Sequence, residues 1–270
     1  MKVFNSIFRL YAYIRHLLFA YNTGGEGVHS PYLYSLIDNV IDDTSNSYYV
    51  WQDIELCRVA LLLSTKSIYV EDYGTGVSGT RRLSAIASTS LKPARQAQLL
   101  FRLVNFLFHE KGAPLYIVEL GTSLGLTTAY LAAVDRRNRV VTYEGSSTIA
   151  DVAKQQWRIL GLDNITCIEG NIDDTLFNSA RVKENDKADF IFLDANHSYE
   201  ATLRYFEQLL SVVGEKTMMV IDDIHSSPDM DRAWWRIKHH EWVTSSFDLF
   251  DLGILFFDEH YLSRHYRLRY

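Results

Sequence analysis

Residues 115–131, LYIVELGTSLGLTTAYL, constrain the fold of this chain more than any other stretch. An apolar, β-favouring run at 115–118 ends in the acid Glu119. Gly121 and Gly125 follow, with Thr122 and Ser123 between them, and a helix-compatible run occupies 126–133. The order is strand, tight glycine turn, helix. A small, cofactor-sized ligand can lie against such a turn, because glycine removes the side chain that would block it. The glycines alone are also compatible with an ordinary strand-to-helix connection. Dinucleotide folds prefer G-x-G-x-x-G at this place, and this chain has E-x-G-x-x-x-G instead.

The rhythm beyond this turn is that of an α/β domain. Strand signals recur at 140–143, 165–168, 189–193 and 217–221. Helical patterns lie between them at 146–160 and 199–213, with another at 230–239. The run at 189–193 is apolar through its middle, as a strand buried on both faces should be. Alternation of this kind specifies a parallel, doubly wound sheet with right-handed crossovers. Two further strands, 247–250 and 253–257, meet at a tight bend and suit an antiparallel edge. Residues 1–112 read as mostly helical, with apolar spacing at 32–41, 54–63 and 93–109. The expected division is therefore a helical region at 1–112, supplying cap, substrate or dimerisation elements, and a cofactor-binding domain at 113–270.

Bulk properties narrow the function classes. A net charge of −6 argues against nucleic acid as the main substrate. Cys57 and Cys167 match no metal spacing and form no disulfide framework, which favours a reducing compartment, the cytoplasm. Arg9, Arg15 and His16 interrupt the apolar N-terminus, and no run is long enough to span a membrane. The plain reading of that N-terminus is a helix docked on the body through Phe4, Phe8, Tyr11 and Leu18. The other reading is a helix for peripheral membrane contact or for a homodimer.

Gly74, Gly76 and Gly79 form a literal G-x-G-x-x-G in DYGTGVSGT, after a short strand signal at 67–70. That motif should open a helix inside a βαβ unit, with an acid about 20 residues on. Helical runs follow it instead, and no strand until 115, so it reads as a loop or turn.

The loop at 121 meets the test that the other glycines fail. Glu144 ends the next strand, followed by Gly145, and its carboxylate would face a cofactor ribose, unless it is simply a solvated strand-end acid. The strand at 165–168 runs into Glu169-Gly170-Asn171-Ile172. The strand at 189–193 runs into Asp194-Ala195-Asn196-His197-Ser198-Tyr199-Glu200, and that at 217–221 into Asp222-Asp223. Ligands of open α/β sheets bind outside the carboxyl ends of the strands. Carboxylates gathered there repel unless a cation neutralises them, and an all-oxygen set suits Mg²⁺. The alternative places Asp194 on the cofactor or at a helix cap, with Asp222 and Asp223 in solvent. His197 is the candidate general base, or else a structural histidine; His225 is a second candidate.

The turn E-x-G-x-x-x-G resembles the S-adenosylmethionine (SAM) loop of class I methyltransferases. LDANHSYE, a helix, and then MVIDDIH resemble the metal-dependent O-methyltransferases of the catechol and caffeoyl-CoA type, and most of all the branch acting on macrolide-sugar hydroxyls. The match covers about 115–258. It implies a Rossmann-like, mostly parallel seven-stranded sheet with an antiparallel last strand, and O-methylation of a small molecule. By the same resemblance, Glu119, Gly121, Thr122, Ser123, Gly125, Glu144, Gly145, Asn171, Ile172 and Asp194 would meet SAM. Asp194, Asp222 and Asp223 would hold the metal, with His197 as base. Two positions depart from the relatives: Ala195, where that branch often has glycine, and Asp223, where the catechol type has asparagine. A non-catalytic SAM-binding scaffold and a metal-independent methyltransferase are the alternative functions.

Overall fold

The computed structural model describes residues 2–43, 47–71, 78–176, 186–261 and 263–270. The chain begins with helices α1 (Lys2–Phe19), α2 (Pro31–Leu36) and α3 (Tyr49–Leu62). Strands β1 (Ser67–Val70) and β2 (Gly79–Arg82) form a small antiparallel sheet, followed by α4 (Leu83–Ser90) and α5 (Ala94–Lys111). Strands and helices then alternate: β3 (Tyr116–Leu120), α6 (Leu126–Ala132), β4 (Arg139–Glu144), α7 (Ser147–Ile159), β5 (Ile165–Glu169), α8 (Ile172–Thr175). The series continues with β6 (Ala188–Leu193), α9 (Tyr199–Leu209), β7 (Val213–Asp222) and α10 (Pro228–Lys238). Strands β8 (Ser245–Asp248), β9 (Leu252–Phe256) and β10 (Arg264–Arg267) close the chain.

The main sheet has eight strands in the order β10-β8-β9-β7-β6-β3-β4-β5. The doubly wound, Rossmann-like class expected from the alternation is present, with two corrections. Seven strands were expected and eight are found. The antiparallel strand is the penultimate one, β9, which runs against both β7 and β8, whereas the last strand, β10, pairs parallel with β8. The arginine-rich C-terminal segment hides this strand because its apolar signal is sparse. Tyr266 and Leu268 are buried, while Arg264, His265 and Arg269 stay exposed.

The chain divides into two compact units, residues 1–44 with 184–270, and residues 45–183. In the second, β3 and β4 pair in parallel from Tyr116↔Arg139 to Leu120↔Tyr143, and β4 pairs β5 to Glu144↔Glu169. Every residue of β3 is buried. Helix α5 packs Leu99, Leu100, Leu103 and Val104 inward, and Gly112 stops it in the left-handed conformation. Gly74 and Gly76 of the literal G-x-G-x-x-G lie outside the described residues. Gly79 opens β2 rather than a helix.

In the first unit, α1 docks by a face the sequence did not indicate. Phe4, Tyr11 and Leu18, expected inside, are 64%, 61% and 65% exposed. Ala12, His16 and Ala20 are buried instead. Small residues let the helix approach closely, and charged contacts fix it. Arg9 pairs with Asp251 at 2.7 Å and Arg15 with Asp231 at 2.7 Å. His16 Nε2 donates to the carbonyl of Leu268 at 2.8 Å, and its Nδ1 lies 3.2 Å from Asp248. His225 bridges Asp231 and Asp248 at 2.5 and 3.0 Å, under the ring of Phe250. Burial opposes the charge on His225, but the two carboxylates outweigh it and raise its pKa. Burial likewise opposes the charge on Asp248, yet His16 and His225 hold its carboxyl well below the usual range. This clasp ties the N-terminal helix to the C-terminal strands.

Candidate functional site

The glycine turn is assembled from the second unit alone. Glu119 is fully buried, and its Oε2 accepts from Thr128 Oγ1 at 2.5 Å and Thr142 Oγ1 at 2.7 Å. Thr122 Oγ1 lies 2.6 Å from Thr142 Oγ1. The carboxylate thus braces β3, β4 and α6 from inside. The amides of Gly121 and Thr122 both donate to Tyr143 O at 3.1 Å, which bends the chain back across β4. Gly121, Ser123 and Gly125 all have positive φ, at 99°, 49° and 79°.

Gly125 has a further reason to be glycine. A Cβ there would sit 2.6 Å from the Cβ of Ala153 and 2.8 Å from Trp157 Nε1, which donates to Gly125 O at 2.8 Å. The glycine is set by the contact of the turn with α7. Gly125→Ala therefore combines left-handed strain with a clash, and should destabilise the fold by about 2–4 kcal/mol in urea unfolding. A change below about 0.5 kcal/mol would contradict this packing.

Glu144 closes the turn. Its Oε2 accepts from Ser123 N at 2.8 Å and its Oε1 from Ser146 N at 3.0 Å. Burial raises its pKa, and the amides of Ser146, Ser123 and Gly145 partly offset that. Asn171 caps α8 by accepting from Asp173 N at 3.2 Å, and Ile172 is the half-buried first residue of that helix. Sequence reasoning missed two neighbours. Ser90 Oγ accepts from Ser123 Oγ at 3.0 Å, and Thr148 donates to the carbonyl of Tyr69. These tie the turn to α4 and α7 to β1. No local pattern announces them, since each joins segments far apart in sequence. Burial pushes the Cys167 thiol up to about 12, so it is no nucleophile.

The acidic cluster belongs to the first unit. Asp194 follows β6, and a tight turn with Asn196 at φ 45° leads to Ser198, which caps α9. This turn brings His197 Nε2 to 3.4 Å from Asp194 Oδ1. Asp222 ends β7 and is only 4% exposed. Asp194, His197 and Asp222 each offer a ligand atom, all within 4.8 Å of one another. Asp223 is not in that trio. It takes a left-handed φ of 54° and acts on His197 by charge. Burial alone would lower the pKa of His197; its contact with Asp194, and the charges of Asp194, Asp223 and Asp222, outweigh burial and raise it to about 9. An imidazole so held is protonated at neutral pH, and becomes a base only when positive charge offsets the acids. His225 is committed to the clasp on α1. Two other trios gather among the described residues, His16–His225–Asp248 in that clasp and the largely exposed Glu215–Asp258–His260.

Residues 118–224 match a family model described as a methyltransferase domain. That stretch, from the glycine turn to the acids that end β7, is similar to a methyltransferase domain. Solved structures share its fold at low identity. An O-methyltransferase from Bacillus cereus in complex with SAH is 20% identical, with a TM-score of 0.56 over 81% of this chain and 96% of that one. The O-methyltransferase TomG from Streptomyces achromogenes, in complex with SAM and involved in tomaymycin synthesis, is 19% identical, with a TM-score of 0.52 over 62% and 82%. The SAH-bound methyltransferase PaMTH1 from Podospora anserina is 14% identical, with a TM-score of 0.51 over 80% and 100%. No curated protein matches the sequence. The chain therefore shares its fold with proteins solved with SAM or SAH bound.

Proposed function

We propose that this methyltransferase moves the methyl group of SAM to a hydroxyl oxygen of a small molecule, with a divalent cation assisting. One observation carries the oxygen and metal reading: Asp194, His197 and Asp222 converge within 4.8 Å at the ends of β6 and β7. The donor set fits a hard cation such as Mg²⁺, because its acids supply oxygens. Asp194 and Asp222 would hold it, with Asp223 the third acid of the rim. On the cofactor side, Glu144 suits the ribose hydroxyls as an acceptor, and the turn from Gly121 to Gly125 would carry the cofactor against its backbone. Gly145, Asn171 and Ile172 would line the remainder, and Asp194 is a candidate for either ligand.

The donor supplies an electrophilic methyl on sulfur, displaced in line. A bound cation would lower the pKa of an acceptor hydroxyl. The chain's own part is to hold both reactants and to receive the proton. His197 would take that proton, with Asp194, 3.4 Å from its Nε2, orienting the ring. The net charge of −6 disfavours a nucleic-acid acceptor. Both cysteines are free thiols, consistent with a reducing compartment, the cytoplasm. No helix among the described residues is long and apolar enough to cross a membrane.

Transfer of labelled methyl from SAM to a panel of phenolic, catecholic and sugar hydroxyls tests the reading. Activity should vanish on chelation and return with Mg²⁺. Undiminished transfer in chelator would remove the metal and leave the methyltransferase.

A further inference from the structure

The outer face of α1 carries an apolar seam that the described residues leave largely exposed. Phe4, Ile7, Tyr11, Ile14 and Leu18 follow one another at spacings of three and four residues. They are 64%, 64%, 61%, 50% and 65% exposed. Alternating threes and fours mark the narrow stripe by which one helix packs along another. The buried residues Ala12, His16 and Ala20 lie on roughly the opposite side of the helix. Both sides of α1 are therefore specified, one by its own body and one by something else.

We propose that this second side is a self-association surface, on which two copies of the chain pair α1 against α1. Three features favour a second copy. The first is area. The five seam residues and Leu10, itself 61% exposed, together present on the order of 650 Å² per chain, close to the ~800 Å² per partner of a standard interface. The second is rigidity. The helix is fixed by the contacts of Arg9, Arg15 and His16 with Asp251, Asp231 and Asp248, so pairing costs little ordering entropy. The third is charge. A helix lying on a bilayer uses free basic side chains to meet anionic headgroups. Here Arg9 and Arg15 are held by carboxylates of their own chain, which carries −6 overall. A two-fold pairing of identical seams satisfies both copies with one surface.

Light scattering on the full chain after gel filtration, at micromolar concentration, is the test. The wild type should run at twice the 31.2 kDa chain mass. Ile7→Glu with Ile14→Glu should raise the dimer dissociation constant by roughly 100-fold or more, because carboxylates would be desolvated in the seam. Neither isoleucine is buried in its own chain, so the circular-dichroism melt of the diluted, monomeric protein should be unchanged. Tyr11→Arg alone is the second variant and should act in the same direction. A monomeric wild type would overturn the proposal, as would variants that pair as tightly as wild type. A monomer that floats with phosphatidylcholine–phosphatidylglycerol vesicles would assign the seam to a lipid surface and overturn it equally.

Discussion

Asp222→Asn should leave the fold intact and lower methyl transfer at least about 100-fold at saturating SAM. The side chain ends β7 and is 4% exposed, so an amide of the same shape fits the space. What disappears is a carboxylate oxygen at the place where Asp194 and His197 converge. The loss should take the form of a weakened response to Mg²⁺, with SAM affinity unchanged by calorimetry. Asp223→Asn is the control within the same pair. Asp223 lies outside the trio and has a left-handed backbone that asparagine adopts readily. It should cost severalfold at most. Equal and undiminished turnover in both variants would exclude the metal reading.

Glu144→Ala should weaken SAM binding by roughly 100-fold, the scale of one or two hydrogen bonds to a charged acceptor. The carboxylate has a second task, because it accepts from Ser123 N and Ser146 N and so shapes the turn. Alanine removes both roles. Glu144→Gln keeps an acceptor for one amide and separates them. If the charge acts on the ligand, glutamine should restore the melting temperature more than it restores affinity. Affinity fully recovered in glutamine would mean that turn shape, not the carboxylate's charge, carries binding.

The parts of this fold that were legible in the sequence are those governed by local periodicity. The strand–turn–helix at 115–131, the acids at the ends of β4, β6 and β7, and the start of α2 at Ser30-Pro31 rest on contacts within a few residues. The parts that were hidden depend on distant partners. Glu119 read as a ligand-facing acid, but its burial against Thr128 and Thr142 is set by strand pairing. The facing of α1 was ambiguous because the helix is apolar on more than one side. A histidine that meets Asp248 at the far end of the chain decided it. The strand β10 has one buried residue, Tyr266, with Leu268 just beyond its end, too few to register as alternation without β8 beside it. His225 shares a loop with Asp222 and Asp223, and sequence alone could not tell that it turns to Asp231 and Asp248.

The most direct measurement is a calorimetric titration of the full chain with SAM, with and without Mg²⁺. Saturable binding of one SAM per chain, lost or strongly weakened in Glu144→Ala, is the predicted result. No binding heat up to millimolar SAM under either condition would contradict the central claim that this is a SAM-dependent methyltransferase.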